Sequence, residues 1–307
     1  MTARTPRFTG VIPPVVTPLT ADGELDVPSL ERLVGFLIEG GVSGLFALGS
    51  SGEVAYLTEA ARSKVLEVIV GATAGQVPVI AGCIETTTDR AIDRARISTG
   101  LGADAVVVTA PFYTRTHAVE IDRHFRQIAK AVELPVFAYD VPVCVHTKLD
   151  GGMVLDLAAD GVLTGLKDSS GDDVGFRRIA LGLAELPEFS LLTGHEVVVD
   201  GALLSGADGA VPGLGNVDPH GYVRLLAAAK AGDWTAAKAE QDRLARLFEI
   251  VFAARDTSGT AAGLGAFKTA LMLRGIITTQ VMSPPMEALD AATTAAIGAI
   301  LDEAGLR

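Results

Sequence analysis

Eight short apolar runs recur along the chain, beginning at intervals of roughly 20–35 residues, and each is continuous instead of alternating, as strands of a parallel sheet covered on both faces by helices are. They fall at residues 10–16 (GVIPPVV), 44–50 (GLFALGS), 78–83 (PVIAGC), 105–111 (AVVVTAP), 135–141 (PVFAYDV), 163–169 (LTGLKDS), 189–195 (FSLLTGH) and 206–213 (GADGAVPG). Helical spacing fills several intervals, at residues 26–39, 58–74, near 89–101 and near 119–132, with Thr58 placed as an N-cap. Eight strands in this rhythm predict a (β/α)8 TIM barrel. An open doubly wound sheet is the runner-up, and no GxGxxG follows the first run to favour it. The first strand is irregular, because Pro13 and Pro14 cannot donate to a ladder.

Beyond about residue 216 the rhythm changes. Residues 217–231, 233–254, 263–274 and 287–304 read as helices with no strand between them. One closes the barrel and three form a C-terminal helical appendage. The expected division is a barrel over residues 1–231, carrying the active site, and a three-helix domain over 232–307.

The composition narrows the class of function. Of 307 residues, 49% are hydrophobic and 20% charged, as in a compact folded protein. A net charge of −12 with pI near 4.9 argues against nucleic-acid and anionic-membrane surfaces, which need clustered Lys and Arg. Cys83 and Cys144 lie too far apart for metal-ligand spacing and are too few for a disulfide framework. A cytoplasmic setting is expected. The start MTARTPRFTG has no apolar leader segment, and no run approaches the ~20 residues of a membrane span.

In a barrel the strand ends converge on one rim, where chemistry is expected. Lys167 stands at such an end, in LTGLKDSSG. A lysine held among apolar neighbours loses hydration, which favours the free amine that attacks carbonyls; the alternative is an ordinary strand-end lysine paired with Asp168. The same rim carries Gly49, Ser50, Ser51, Gly52 and Glu53 after the second strand, a glycine- and hydroxyl-rich turn whose N–H groups can face an anion or simply turn the chain. Tyr113 follows the fourth strand, Tyr139 ends the fifth, Gly194 and His195 follow the seventh, and Val211 to Gly213 end the eighth. Tyr139 reads equally as a buried aromatic, His195 as a helix cap, and Glu53 as a partner for backbone N–H groups.

Taken together, GSSGE at 49–53, YDVP at 139–142 and GLKDSSG at 165–171 resemble, in order and interval, the dihydrodipicolinate synthase/N-acetylneuraminate lyase family of pyruvate-dependent class I aldolases, over nearly the whole chain. The resemblance implies a barrel with a helical C-terminal domain, no metal, no cofactor beyond a covalent imine, and a homo-oligomer, usually a tetramer. By position, Lys167 would form the imine with pyruvate or a 2-keto acid, and Tyr139 would shuttle protons. Ser50 and Ser51, with the Gly52 backbone, would hold the substrate carboxylate, Ser50 also relaying a proton; Val211 would line the site. Tyr113 matches a tyrosine that reaches across a subunit interface.

One position departs from the pattern. Two residues beyond the proline of YDVP, the synthases carry an arginine that grips the carboxylate of the second substrate; here Cys144 stands there, and a thiol cannot make that bidentate pair. His146, Thr147 and His195 would instead hydrogen-bond hydroxyls. This favours a 2-keto-3-deoxy sugar acid cleaved to pyruvate and a hydroxyaldehyde. Alternatives are condensation of pyruvate with another aldehyde, loss of water from a keto sugar acid, and a non-catalytic ligand-binding barrel.

Overall fold

The computed structural model describes residues 8–307. In chain order it runs β1 (Gly10–Val11), α1 (Val27–Glu39), β2 (Leu45–Ala47), α2 (Glu59–Thr73), β3 (Val79–Gly82), α3 (Thr88–Gly100), β4 (Ala105–Thr109), α4 (Ala118–Ala131), β5 (Val136–Asp140), α5 (Pro142–Val145) and α6 (Gly151–Ala159). It continues with β6 (Gly165–Asp168), α7 (Asp173–Gly182), β7 (Ser190–Thr193), α8 (Val199–Leu204), β8 (Gly209–Ala210), α9 (Pro219–Lys230), α10 (Trp234–Phe248), α11 (Gly259–Leu273) and α12 (Ala291–Glu303). The strands pair in parallel in the order β1-β8-β7-β6-β5-β4-β3-β2.

The seam between β1 and β2 shows how the two prolines are accommodated. The Phe46 N–H donates to the Pro13 carbonyl at 2.9 Å, and the Val15 N–H donates to the Phe46 carbonyl at 2.9 Å. Pro14 bridges Phe46 in parallel, and the Ser43 N–H reaches the Val11 carbonyl at 2.8 Å. The prolines thus contribute acceptors where they lack donors, and the sheet closes into a TIM barrel. Each strand is shorter than its apolar run, because the run continues past the ladder into the buried ends of the loops.

Helix starts follow their capping side chains. Thr58 accepts from the Ala61 N–H at 3.2 Å, as expected for an N-cap. Ser258 accepts from Ala261 at 3.1 Å, so α11 begins at Gly259, ahead of the predicted 263. Asp290 accepts from Thr293 at 2.7 Å and starts α12 at Ala291, later than the predicted 287. The helices α6, α7 and α8, which no helical spacing marks in the sequence, follow β5, β6 and β7 in turn.

The core is shared by the barrel and the helices beyond it. One buried cluster joins Val11, Val15 and Leu45 of the first strands and their loops to Leu30 and Leu33 of α1, and to Leu244, Phe267, Ala270, Ile297 and Leu301 of α10 to α12. Burying each such side chain contributes about 1.5–3 kcal/mol. The last three helices therefore pack on the barrel through the same cluster, with no break in the core at residue 231. Among the described residues no helix is long and apolar enough to cross a membrane.

Candidate active site

Lys167 occupies the third position of β6, paired in register with Tyr139 of β5 on one side and Leu192 of β7 on the other. Side chains alternate across a strand, and the alternation splits the two charged residues of LKD. The Lys167 Nζ lies 4.0 Å from the Tyr139 ring centroid and 4.7 Å from that of Phe46, and only 4% of the residue is exposed. Asp168, also buried, instead accepts the Ser170 N–H at 2.7 Å. The lysine is therefore separated from its sequence neighbour and walled by two rings, which meet edge to face at 82° with centroids 6.3 Å apart.

Phe46 owes its place to the glycine after β2. A Cβ on Gly49 would come within 2.7 Å of the Phe46 ring, so a side chain there would push the ring toward the lysine. The next residues form a single 3₁₀ turn, Ser50–Gly52. It is fastened at its C-terminal end: the Thr17 hydroxyl donates to the Gly52 carbonyl at 2.8 Å, and Glu53 closes it in a left-handed conformation, φ +59°, which a non-glycine residue holds only when its surroundings enforce it. Here they do. The Glu53 carboxylate is fully buried, accepts the Ser283 N–H at 2.7 Å and forms an ion pair with Lys268 of α11. Burial lowers the Lys268 pKa and the attraction of Glu53 opposes that shift.

The loop after β5 brings the departing cysteine to the same place. Cys144 lies on α5 and is exposed, and its thiol titration is coupled to Ser50 and to the charge of Lys167. Desolvation raises the thiol pKa, while Ser50 and Lys167 oppose the rise. The buried Asp140 holds the loop in place by accepting the Leu149 N–H at 3.1 Å and pairing with Lys148. Desolvation raises its carboxyl pKa against the pull of Lys148.

The predicted residues thus divide. Lys167 and Tyr139 stand face to face, Ser51 and Gly52 share the Ser50 turn after β2, and Cys144 lies on α5 after β5. Val211 is buried just past β8, its N–H donating to the Thr193 carbonyl at 2.8 Å. His146 ends α5, exposed, with φ +57°. His195 turns toward a cavity of about 400 Å³ that it lines with Asp168, Gly171, Phe176 and Arg177, between the β6 and β7 connections. Tyr113 points into solvent, 93% exposed, with φ +77°.

Two groups on the rim are not marked by any sequence pattern. Phe46 looks like any strand aromatic, and only its register against Tyr139 and Lys167 reveals its role as a wall. Glu196, shortly after β7, hydrogen-bonds the Leu214 N–H at 2.5 Å, and burial pushes its carboxyl up to about 7 against the opposing effects of the Leu214 and Gly213 N–H groups and of Lys167. The signal available for it was a lone carboxylate two residues beyond Gly194. Among the described residues no group of three or more His, Cys, Asp or Glu side chains is placed to hold a metal ion.

Comparison with known proteins extends over nearly the whole chain. The model of the dihydrodipicolinate synthetase family matches residues 7–304. A 4-hydroxy-tetrahydrodipicolinate synthase from Phenylobacterium zucineum is 34% identical over 303 residues, covering 98% of this chain and 99% of the relative. The putative 2-dehydro-3-deoxy-D-gluconate aldolase YagE from Escherichia coli K12 is 32% identical over 299 residues, covering 96% and 97%. The crystal structure of YagE in complex with pyruvate superposes with a TM-score of 0.92 at 31% identity, over 98% of this chain and 100% of that one.

Proposed function

Since this chain belongs to the dihydrodipicolinate synthetase family, whose members are pyruvate-dependent lyases and synthases, we propose that it is a Schiff-base lyase that cleaves a 2-keto-3-deoxy sugar acid to pyruvate and a hydroxyaldehyde. The observation that carries this reading is the burial of the Lys167 amine against the Tyr139 ring, at 4.0 Å, in a mouth flanked by Ser50 and Cys144. The neutral amine adds to the C2 keto carbon and water leaves, giving an iminium. A base removes the proton of the C4 hydroxyl, the C3–C4 bond breaks, and its electron pair enters the iminium as an enamine while the aldehyde departs. Protonation at C3 and hydrolysis release pyruvate and restore the amine, so the cycle needs no further cofactor.

Tyr139 is the proton carrier in this reading. A phenol with an ordinary pKa near 10 is a weak base at neutral pH, so it depends on hydroxyl neighbours such as Ser50, and positioned transfer of this kind contributes roughly 10²–10⁴ in rate. Ser51 and the N–H groups of the Ser50–Gly52 turn hold the carboxylate of the keto acid. Val211 closes the opposite wall. Tyr113 is exposed on this chain and carries its strained φ on the surface, which supports a role completed by a second subunit of a homo-oligomer. His146 lies on the Cys144 loop, within reach of the aldehyde half.

Cys144 supports the choice of substrate. Where the resemblance places an arginine for a second carboxylate, this chain offers a thiol whose pKa desolvation raises, and a neutral group there suits an uncharged, hydroxylated aldehyde. YagE, named as a putative aldolase of 2-dehydro-3-deoxy-D-gluconate, points the same way, whereas the synthase relatives favour condensation with aspartate semialdehyde. A panel of 2-keto-3-deoxy acids decides between them: cleavage releasing pyruvate is expected at kcat/KM at least tenfold above condensation of pyruvate with aspartate semialdehyde. Exclusive condensation, or water loss without pyruvate, would overturn the assignment.

A further inference from the structure

Between the two rings that wall Lys167, the barrel presents a polar side chain that the cycle above leaves unused. The amine lies against Tyr139 of β5 and Phe46 of β2, and β3 and β4 are the strands that separate β2 from β5. These read VIAG and AVVVT, so Thr109, at the end of β4, is their only polar side chain. In register it pairs with Tyr139, as Tyr139 pairs with Lys167. Register partners on parallel strands project to the same face of the sheet, as Gly165 and its partner Phe137 show: a Cβ on Gly165 would lie 2.1 Å from the Phe137 ring. Thr109 therefore points into the barrel, in one row with Tyr139 and Lys167. The residue is 1% exposed, and its hydroxyl is buried with no hydrogen-bond partner among the described residues. Buried hydroxyls in native proteins are rarely left so, and an orphan beside a reacting centre calls for a water or a ligand. The outer face holds the strand end still. His124 of α4 is buried and desolvation pushes its ring pKa down to about 4, so the imidazole is uncharged at neutral pH. A carbonyl only accepts, so Nε2 donates to the Thr109 carbonyl at 3.1 Å and Nδ1 accepts the Thr88 hydroxyl at 3.0 Å.

We propose that Thr109 is a further catalytic residue, the one that holds the water exchanged at C2 of the keto acid when the imine forms and when it is hydrolysed. This rests on the lyase reading above. The Lys167 amine adds to C2, and the former keto oxygen takes up a proton to become the hydroxyl of a carbinolamine. That hydroxyl takes up a second proton and leaves as water while the nitrogen lone pair forms the C=N bond; hydrolysis runs the same steps in reverse. The threonine is not the acid of either step. Its hydroxyl can donate one hydrogen bond to the departing or arriving water and accept another from it, which keeps that water within reach of C2 and spares the search for a free one.

Oxygen exchange tests this in the full-length protein without any aldehyde. Pyruvate incubated with the protein in water labelled with the heavy oxygen isotope gains label at C2 each time the imine forms and hydrolyses, and mass spectrometry follows it. Thr109→Val, which keeps the shape and removes the hydroxyl, is expected to slow the protein-dependent exchange by about tenfold or more. Thr109→Ser, which keeps the hydroxyl, is expected to exchange at close to the parent rate. Borohydride trapping of saturating pyruvate should reach the parent extent in both variants, and the unfolding temperature of Thr109→Val should not fall, because the hydroxyl it loses has no partner in the folded chain. A hydroxyl with a merely structural role would show the opposite pattern, a lower unfolding temperature with exchange intact. Should Thr109→Val fail to fold, Thr109→Ala takes its place. Exchange at the parent rate in the valine variant, or a serine variant as slow as the valine one, overturns the assignment and leaves the lyase reading standing. A parent protein that neither exchanges oxygen nor is trapped by borohydride overturns both.

Discussion

Replacing Lys167 by alanine is expected to lower kcat for keto-acid cleavage by roughly 10⁴-fold or more, the scale on which loss of a covalent nucleophile acts, while the far-ultraviolet circular dichroism stays that of the parent. In the proposed cycle, loss of the amine removes the iminium, and the electron pair of the breaking C3–C4 bond then has no acceptor. Arginine is expected to do no better, although it is the nearest cation by charge, because a guanidinium does not deprotonate and cannot form an imine. Steady-state assays at neutral pH check both variants; an alanine variant that keeps even a tenth of the parent turnover contradicts the role given to this residue. Loss of fold is not the expected outcome, since the β6 ladder is made by backbone groups, from Gly165 to Asp168.

The second large effect lies away from the reacting atoms. Lys268→Met is expected to destabilise the protein by about 3–5 kcal/mol, because it leaves the Glu53 carboxylate buried without its ion-pair partner. Glu53 is fully buried and Lys268 is 1% exposed, so solvent cannot take over either charge. The Ser283 N–H remains as a single donor to Glu53. Since Glu53 is itself the left-handed residue that ends the Ser50–Gly52 turn, turnover should fall along with stability. The double variant Lys268→Met with Glu53→Gln removes the stranded charge and is expected to regain most of the stability, though not the activity. Thermal and denaturant unfolding measure this; a single Lys268→Met variant within 0.5 kcal/mol of the parent contradicts it.

The eight strands could be placed from the sequence because a strand buried on both faces must be apolar throughout, and few residue patterns share that property. Lys167 and Tyr139 stood out for a related reason: each is a polar group at the end of such a run. What local pattern could not supply was pairing across the barrel. The periodicity of α10 marks an apolar face without saying that the face joins the same core as Val11 and Leu45. Glu53 reads as the last residue of a loop motif, and only the fold brings it to Lys268. The prolines at 13 and 14 argue for an irregular first strand, and the structure agrees, yet the acceptor that Pro13 offers to the Phe46 N–H becomes visible only when β2 lies alongside. His195 shared the rim by position, but its side chain turns to the outer cavity. Glu196, two residues beyond Gly194, turns to the loop after β8, where it accepts the Leu214 N–H.

The most direct measurement is reductive trapping. The protein is incubated with pyruvate and sodium borohydride, and the modified residue is located by peptide mass mapping. The account predicts one carboxyethyl group per chain, carried on Lys167 and absent from Lys167→Ala. A protein whose mass does not change, or whose label sits on another lysine while Lys167→Ala retains turnover, would contradict it.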